Sequence, residues 1–332
     1  MRGAKATKQS RANRVSSLKR RRIFFEFGRS PQPYNGIATS YCGRTRNDKG
    51  GGGCHREERV KRVTWRSQDT SIVIITGEGY NYYFMIKIKT PEEIQIMAEG
   101  GKLLAKIMKQ LEEKAKPGIA TKFFNELAED LILKYGGEPN FKGEDGFPAA
   151  ICTSINEEIV HMVPSDRLLR EGDILSLDIG MKYKGYHSDM AVTIPIGKIN
   201  FEAQRLIRTT KKALKRGIKK VKPGNTLGDI GNTIERYVES QGFSVVRELC
   251  GHGIGKELHE DPEVLNFGKR HRGEKLKEGM VICIEPMVTQ GDWHIKRSKD
   301  GYGFETKDGS LACHFEHEIA ITKNGPWILT EE

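Results

Sequence analysis

The chain repeats itself, and the repeat restricts the folds open to it more than any other feature does. Lys114-Ala-Lys-Pro-Gly118 returns as Lys220-Val-Lys-Pro-Gly224, an offset of 106 residues. Glu171-Gly-Asp-Ile-Leu-Ser-Leu-Asp178 returns as Glu278-Gly-Met-Val-Ile-Cys-Ile-Glu285, an offset of 107. Helical patterns precede both Pro-Gly breaks, and Gly242 follows the second pair of helices as Gly136 follows the first. Self-similarity at a fixed spacing marks repeated structural units. It predicts an internally duplicated α/β (α+β) domain of two helix-helix-strand halves around a central antiparallel sheet. An acid stands at the end of the corresponding strand in each half, so a pseudo-twofold relation carries Asp178 onto Glu285.

Local signals support that division. Thr90-Pro91-Glu92-Glu93 is a capping box with Pro at the first helical position, followed at helical spacing by Ile94, Met97, Leu104, Met108 and Leu111. Lys116-Pro117-Gly118 stops this helix, and a second is predicted from about Thr121 to Tyr135, ended by Gly136-Gly137. Apolar Ile174, Leu175 and Leu177 describe a strand between Gly172 and Gly180, with Asp178 at its end. Asp189 follows a Gly185-containing turn and precedes the apolar run Met190–Ile194. A hairpin would bring the two carboxylates together. Like charges held close repel and raise a pKa unless a cation or shared proton joins them, and a metal is the natural candidate.

The second half supplies more ligand types. His252 lies in Cys250-Gly-His-Gly-Ile-Gly255, His259 follows seven residues later, and Glu316 precedes the strand Ile319–Thr322 much as Asp189 precedes its own. The candidate inner ligands are therefore Asp178, Asp189, His252, Glu285 and Glu316. His161 is the third chemical-looking residue of the stretch from Phe147 to Gly197.

The net charge of +11 suggests a polyanion partner until it is located. Residues 1–84 hold 18 Lys/Arg and 6 Asp/Glu, whereas 85–332 hold 37 and 38. Residues 1–84 are accordingly expected to be a basic, disordered extension, in which Ser71–Thr76 could form a strand with no partner in view. Cys42, Cys54 and His55 offer too few ligands for a zinc site. The six cysteines show no paired spacing, and no run is long enough to span a membrane. A cytoplasmic location, no membrane partner and no specific nucleic acid are expected.

Five segments, ICTSINEEIVH, GDILSLDIG with GYHSDMAVT, CGHGIG with LHEDP, ICIEPM and FEHEIAIT, resemble the type I methionine aminopeptidases of the pita-bread fold (peptidase family M24) across residues 85–332. The resemblance implies a catalytic domain over 85–332 that removes initiator methionine from nascent proteins when the next residue is small. It also implies two divalent metals (Co, Fe, Mn or Zn) on the five ligands, with Asp189 and Glu316 bridging, and attack of an activated water on the first peptide bond. Glu285 would pass protons, and His161 and His259 would position substrate and stabilise the oxyanion. Phe147, Cys152 and Tyr302 would line the methionine pocket with His161 at its rim. Leu258 stands where the family commonly has Phe, and Tyr302 where it often has Trp; both keep the pocket apolar. A monomer acting at nascent N-termini, in reach of the ribosome, is the implied setting.

Rival readings fit less well. Prolidases and aminopeptidase P carry a large folded N-terminal domain. Type II methionine aminopeptidases carry an insertion for which the 26 residues from His259 to Glu285 leave no room. Binding modules of the same fold typically lose metal ligands, and all five are present here.

Overall fold

Ser71-Ile-Val-Ile-Ile-Thr76 is rich in β-branched residues, and it forms a strand. The computed structural model of the protein describes residues 86–332 together with three short strands before them, β1 (Lys61–Arg62), β2 (Ser71–Thr76) and β3 (Gly79–Phe84). These make an antiparallel pair β1–β2 within a sheet of order β1-β2-β3, so β2 has the partners that its sequence did not reveal. Of residues 1–84, for which disorder is expected, only these three strands are described; the others, Cys42, Cys54 and His55 among them, lie outside the described residues.

The first half opens with α1 (Pro91–Lys114). Its capping box is formed: the Glu93 N–H donates to Thr90 Oγ1 at 3.3 Å, and the Glu93 carboxylate accepts the Thr90 N–H at 2.9 Å. Ile94, Met97, Leu104, Met108 and Leu111 are all buried, each stabilising the fold by about 1.5–3 kcal/mol relative to exposure. Next come α2 (Thr121–Lys134), β4 (Glu138–Pro139), β5 (Ile151–Ile155), β6 (Glu158–Val160), β7 (Ile174–Tyr183) and β8 (Tyr186–Pro195). β7 pairs antiparallel with β4, β5 and β8. The β7–β8 turn is Lys184-Gly185, with φ of 48° and 85°, the two-residue turn whose twist matches its strands.

The second half repeats the order with α3 (Phe201–Ile218) and α4 (Leu227–Ser240), each capped by its preceding polar residue, Asn200 and Thr226. The strands that follow are β9 (Ser244–Val245), β10 (Gly251–Gly253), β11 (Glu260–Val264), β12 (Val281–Ile284), β13 (Met287–Thr289), β14 (Ile295–Arg297), β15 (Phe304–Thr306), β16 (Ala312–His314), β17 (His317–Thr322) and β18 (Gly325–Ile328). β11-β10-β12-β17-β18 form one antiparallel sheet.

The duplication extends to single hydrogen bonds. Gly118, at φ 87°, donates to Leu169 O at 2.8 Å; Gly224, at φ 89°, donates to Leu276 O at 3.0 Å. The isolated bridge Ala120–Leu168 has its counterpart in Thr226–Lys275. Both glycines occupy the left-handed region that a side chain disfavours, which is why the Pro-Gly break recurs. The helices of each half cover their own apolar cluster, around Phe124, Ile151 and Leu177 in the first and Leu214, Ile234 and Ile282 in the second. The halves meet where Glu316 N donates to Ala191 O at 2.9 Å. Beside that bond, Thr193 Oγ1 accepts from His314 N at 2.9 Å.

Two sequence expectations need correction. Asp178 does not end its strand: β7 runs on to Tyr183, so Asp178 sits mid-strand, and Asp189 likewise lies inside β8. Gly180 is no terminator but a packing point. A Cβ there would lie 2.3 Å from Asn140 Oδ1 and 2.7 Å from Phe141, so only glycine lets that segment close on the strand.

Candidate active site

The register of the β7–β8 hairpin decides where its acids go. Asp178 faces Ala191 and Gly180 faces Asp189, so the two carboxylates are diagonal neighbours on one face of the pair. Glu316, delivered at the start of β17, closes the group: one oxygen from each of Asp178, Asp189 and Glu316 lies within 4.8 Å of the others. Glu285 follows β12 directly, and its Oε1 lies 3.8 Å from His252 Nε2, which is also 3.9 Å from Asp189 Oδ2. All five residues proposed as inner ligands thus converge, from both halves, on one centre.

His252 Nδ1 lies 2.9 Å from Gly253 O, an atom that only accepts, so Nδ1 carries the proton and Nε2 is a bare acceptor. Burial holds His252 down at about 3, keeping the ring neutral. Its Nε2 lone pair therefore faces carboxylate oxygens that are themselves acceptors. Burial first, and then the neighbouring carboxylates, push Asp189, Glu285 and Glu316 well above the usual range, and burial lifts Asp178 to about 6. Asp189 Oδ1 and Glu316 Oε1 are buried without a hydrogen-bond partner. With these acids ionised the centre is a convergence of acceptors with no donor between them, so it must either take up protons, as the raised pKa values indicate, or hold a divalent cation. The donor set of carboxylates and one imidazole suits such a metal. Cys283 Sγ also comes within this range of His252 and Glu316, but burial and those acids keep it a thiol.

His259 stacks edge-on against His252 with ring centres 4.6 Å apart, and its Nδ1 lies 3.7 Å from Glu144 Oε1. His161 follows β6, is exposed, and has a φ of 60°, an uncommon conformation for a side chain other than glycine and one that marks functional positions. Phe147 packs edge-on against Tyr302 at 5.7 Å, and the Tyr302 hydroxyl donates to Gly146 O at 3.0 Å. Cys152 lies opposite Asp178 across β5–β7 and shares an apolar cluster with Phe147 and Leu258. Burial, with Asp178 next, raises its thiol well above the ordinary value, so it is no nucleophile.

One residue of this centre was missed. His314 is 1% exposed, its Nε2 lies 3.4 Å from Glu285 Oε2, and neither ring nitrogen has a hydrogen-bond partner. The signal was present: His314 is two residues before Glu316, the spacing that puts side chains on one face of an extended chain.

Comparison with known proteins agrees with this geometry. The profile of metallopeptidase family M24 matches residues 95–323. A methionine aminopeptidase of Clostridium acetobutylicum is 51% identical over 247 residues, covering 74% of this chain and 99% of that one. Methionine aminopeptidase 1 of Bacillus subtilis is 47% identical over 246 residues, again 74% and 99% of the two chains. The crystal structure of methionine aminopeptidase from Thermotoga maritima superposes with a TM-score of 0.74 at 43% identity, covering 75% of this chain and all of that one. The prolidase from Pyrococcus furiosus gives 0.59 at 26% identity, covering 74% and 65%.

The duplicated pita-bread scaffold and its buried acidic centre are those of a metal-dependent peptidase, and the chain belongs to metallopeptidase family M24. Within that family it groups with the methionine aminopeptidases, hydrolases that act on protein N-termini and bind divalent metal. No helix among the described residues is long and apolar enough to cross a membrane.

Proposed function

We propose that this chain removes the initiator methionine from nascent polypeptides whose second residue is small. Asp178, Asp189, His252, Glu285 and Glu316 would hold two divalent ions drawn from Co, Fe, Mn and Zn. The observation that carries this reading is the neutral His252 Nε2 acceptor gathered with the buried acids Asp189 and Glu285 at 3.9 and 3.8 Å. Divalent ions bound there would lower the pKa of water and polarise a carbonyl.

The chain's own groups do the remainder. Glu285 accepts the proton of the attacking water and returns it to the departing amine. His259, with Glu144 beside Nδ1, and His161, at the rim, bind the peptide and stabilise negative charge on the carbonyl oxygen. Phe147, Cys152 and Tyr302 form an apolar pocket whose buried sulfur suits a thioether. The catalytic domain spans 85–332, and the enzyme works as a cytoplasmic monomer near the ribosome.

Hydrolysis of Met-Ala-Ser and Ala-Pro-Ala, after chelation and metal re-addition, tests this for wild type and Glu285→Ala. Metal-dependent release of Met from the first peptide alone, abolished by the substitution, is expected. Cleavage of Ala-Pro-Ala instead would assign the chain to the aminopeptidase P branch.

A further inference from the structure

The near neutrality of residues 85–332 conceals one helix. Residues 203–222, most of α3 and the turn after it, hold nine Lys or Arg and no Asp or Glu. The duplication supplies an internal comparison. α1 has the matching place in the first half and carries four Lys against five Glu, whereas α3 carries six Lys or Arg against Glu202 alone. Both helices cover a core, so the scaffold does not require the charge. Like charges four apart, as at Arg208–Lys212 and Lys212–Arg216, destabilise a helix, and a polyanion lying along the stripe would relieve them.

The apolar side of α3 is already committed, with Leu206, Ala213, Leu214 and Ile218 buried. Arg208, Lys211, Lys212, Lys215 and Arg216 are exposed. Among the described residues, Arg205 is the only one of the nine within ion-pair distance of a carboxylate, that of Glu202 at 2.6 Å. Beside the stripe, Phe201, Arg205, Arg208, Lys212, Tyr237 and Gln241 line a groove of about 380 Å³ between α3 and α4. Phe201 is 65% exposed at one end. At the other, the Arg216 guanidinium lies 4.3 Å from the Tyr237 ring centre and the Lys212 ammonium 5.6 Å from it.

We propose that the α3–α4 groove binds single-stranded RNA, its phosphodiester backbone on the basic stripe and unpaired bases stacked on Phe201 and on the Arg216 guanidinium that covers Tyr237. A cationic groove edged by aromatic faces is the combination that holds single strands without reading their sequence. This accords with the expectation of no specific nucleic-acid partner. A lipid surface is disfavoured because Phe201 is the one large apolar side chain that α3 leaves strongly exposed, too little to bury in a bilayer. The choice of RNA over DNA rests on the proposed substrate, since a new polypeptide emerges beside RNA.

Residues 1–84, at +12, will also attract RNA, so the test must locate the contact. The full chain is cross-linked to a 4-thiouridine oligomer and the linked peptides are mapped by mass spectrometry. Affinity is measured against salt for wild type, for Arg208→Glu/Lys212→Glu/Arg216→Glu, and for a control on α1, Lys102→Glu/Lys109→Glu/Lys114→Glu. Cross-links at Phe201 or Tyr237 are expected. The α3 variant should bind about tenfold more weakly near physiological salt, with a log–log salt slope shallower by about 2 for three lost contacts, while the control binds as wild type. Peptide hydrolysis should be unchanged in both variants, which separates this result from a failure of the proposed activity. Cross-links confined to residues 1–84, equal weakening in both variants, or undiminished binding by the α3 variant would overturn the proposal. So would binding to anionic vesicles that depends on α3 while RNA binding does not.

Discussion

Glu158 is a buried acid outside the active centre, and its replacement by Gln makes a quantitative prediction. It sits on β6, three residues before His161, and is 8% exposed. One oxygen accepts the Ile155 N–H at 2.7 Å and the other meets Arg167 Nη1 at 2.6 Å. Burial outweighs both contacts and lifts the carboxyl from 4.5 to about 7, in part because Arg167 is itself 41% exposed and screened by water.

The folded state therefore holds the proton more tightly than the unfolded chain. Stability from this group is complete below pH 4.5, where both states are protonated, and is lost as pH rises through about 7. At about 1.4 kcal/mol per pH unit, the loss is roughly 3 kcal/mol. Glu158→Gln cannot ionise and keeps an oxygen for the Ile155 N–H, so its stability relative to wild type should improve by that amount between pH 4.5 and 8. For a fold of this size the difference in Tm should widen in favour of the variant by about 6–12 °C. Paired thermal or urea unfolding of the two proteins in the same buffers cancels every other titration. A difference in stability that stays constant with pH would show that the Arg167 pair holds Glu158 ionised, and the burial argument would fail.

Five further outcomes follow from the geometry. Chelation should abolish activity and lower Tm, and metal at about a hundred times its Kd should restore about 2.7 kcal/mol; Glu316→Ala should reduce the metal content per chain measured by elemental analysis. His161→Ala should lower kcat by about 10²–10³ with metal content unchanged, because His161 is exposed and is not among the clustered acids and histidines that could hold a metal. Gly180→Ala should cost about 1–3 kcal/mol in urea unfolding, because its Cβ would sit 2.3 Å from Asn140 Oδ1. A chain beginning at Met85 should fold and keep its peptidase activity, since the capping box at Thr90 starts the first helix without help from the preceding residues.

Much of the centre was readable because its chemistry recurs at fixed spacing. The 107-residue offset put Asp178 and Glu285 at matching points, and the apolar runs after Asp189 and before Glu285 placed one acid on a strand and the other directly after one. His314 went unread because a histidine beside the better-marked Glu316 carries no signal of its own depth. Gly180 was misread for a related reason. A glycine in a strand pattern marks either an end or a close approach, and only the position of Asn140 and Phe141 distinguishes them. Likewise Ser71–Thr76 announces a strand, but its pairing of Ile74 and Ile75 with Arg62 and Lys61 depends on a dipeptide that has no β signature.

The sequence alone determined what can be written locally: helix starts at polar caps, stops at Pro-Gly, apolar periodicity, the duplication, and the residue types a divalent metal needs. These depend on backbone dihedrals and on side chains a few positions apart. Tertiary structure decided which atoms face which. The Asp178–Ala191 register sets both hairpin acids on one face, the Gly253 carbonyl fixes the His252 tautomer, and the seam at Ala191 and Thr193 brings Glu316 and His314 against the other half. The seam contacts join segments more than a hundred residues apart, set by how two cores pack, and no local pattern encodes them.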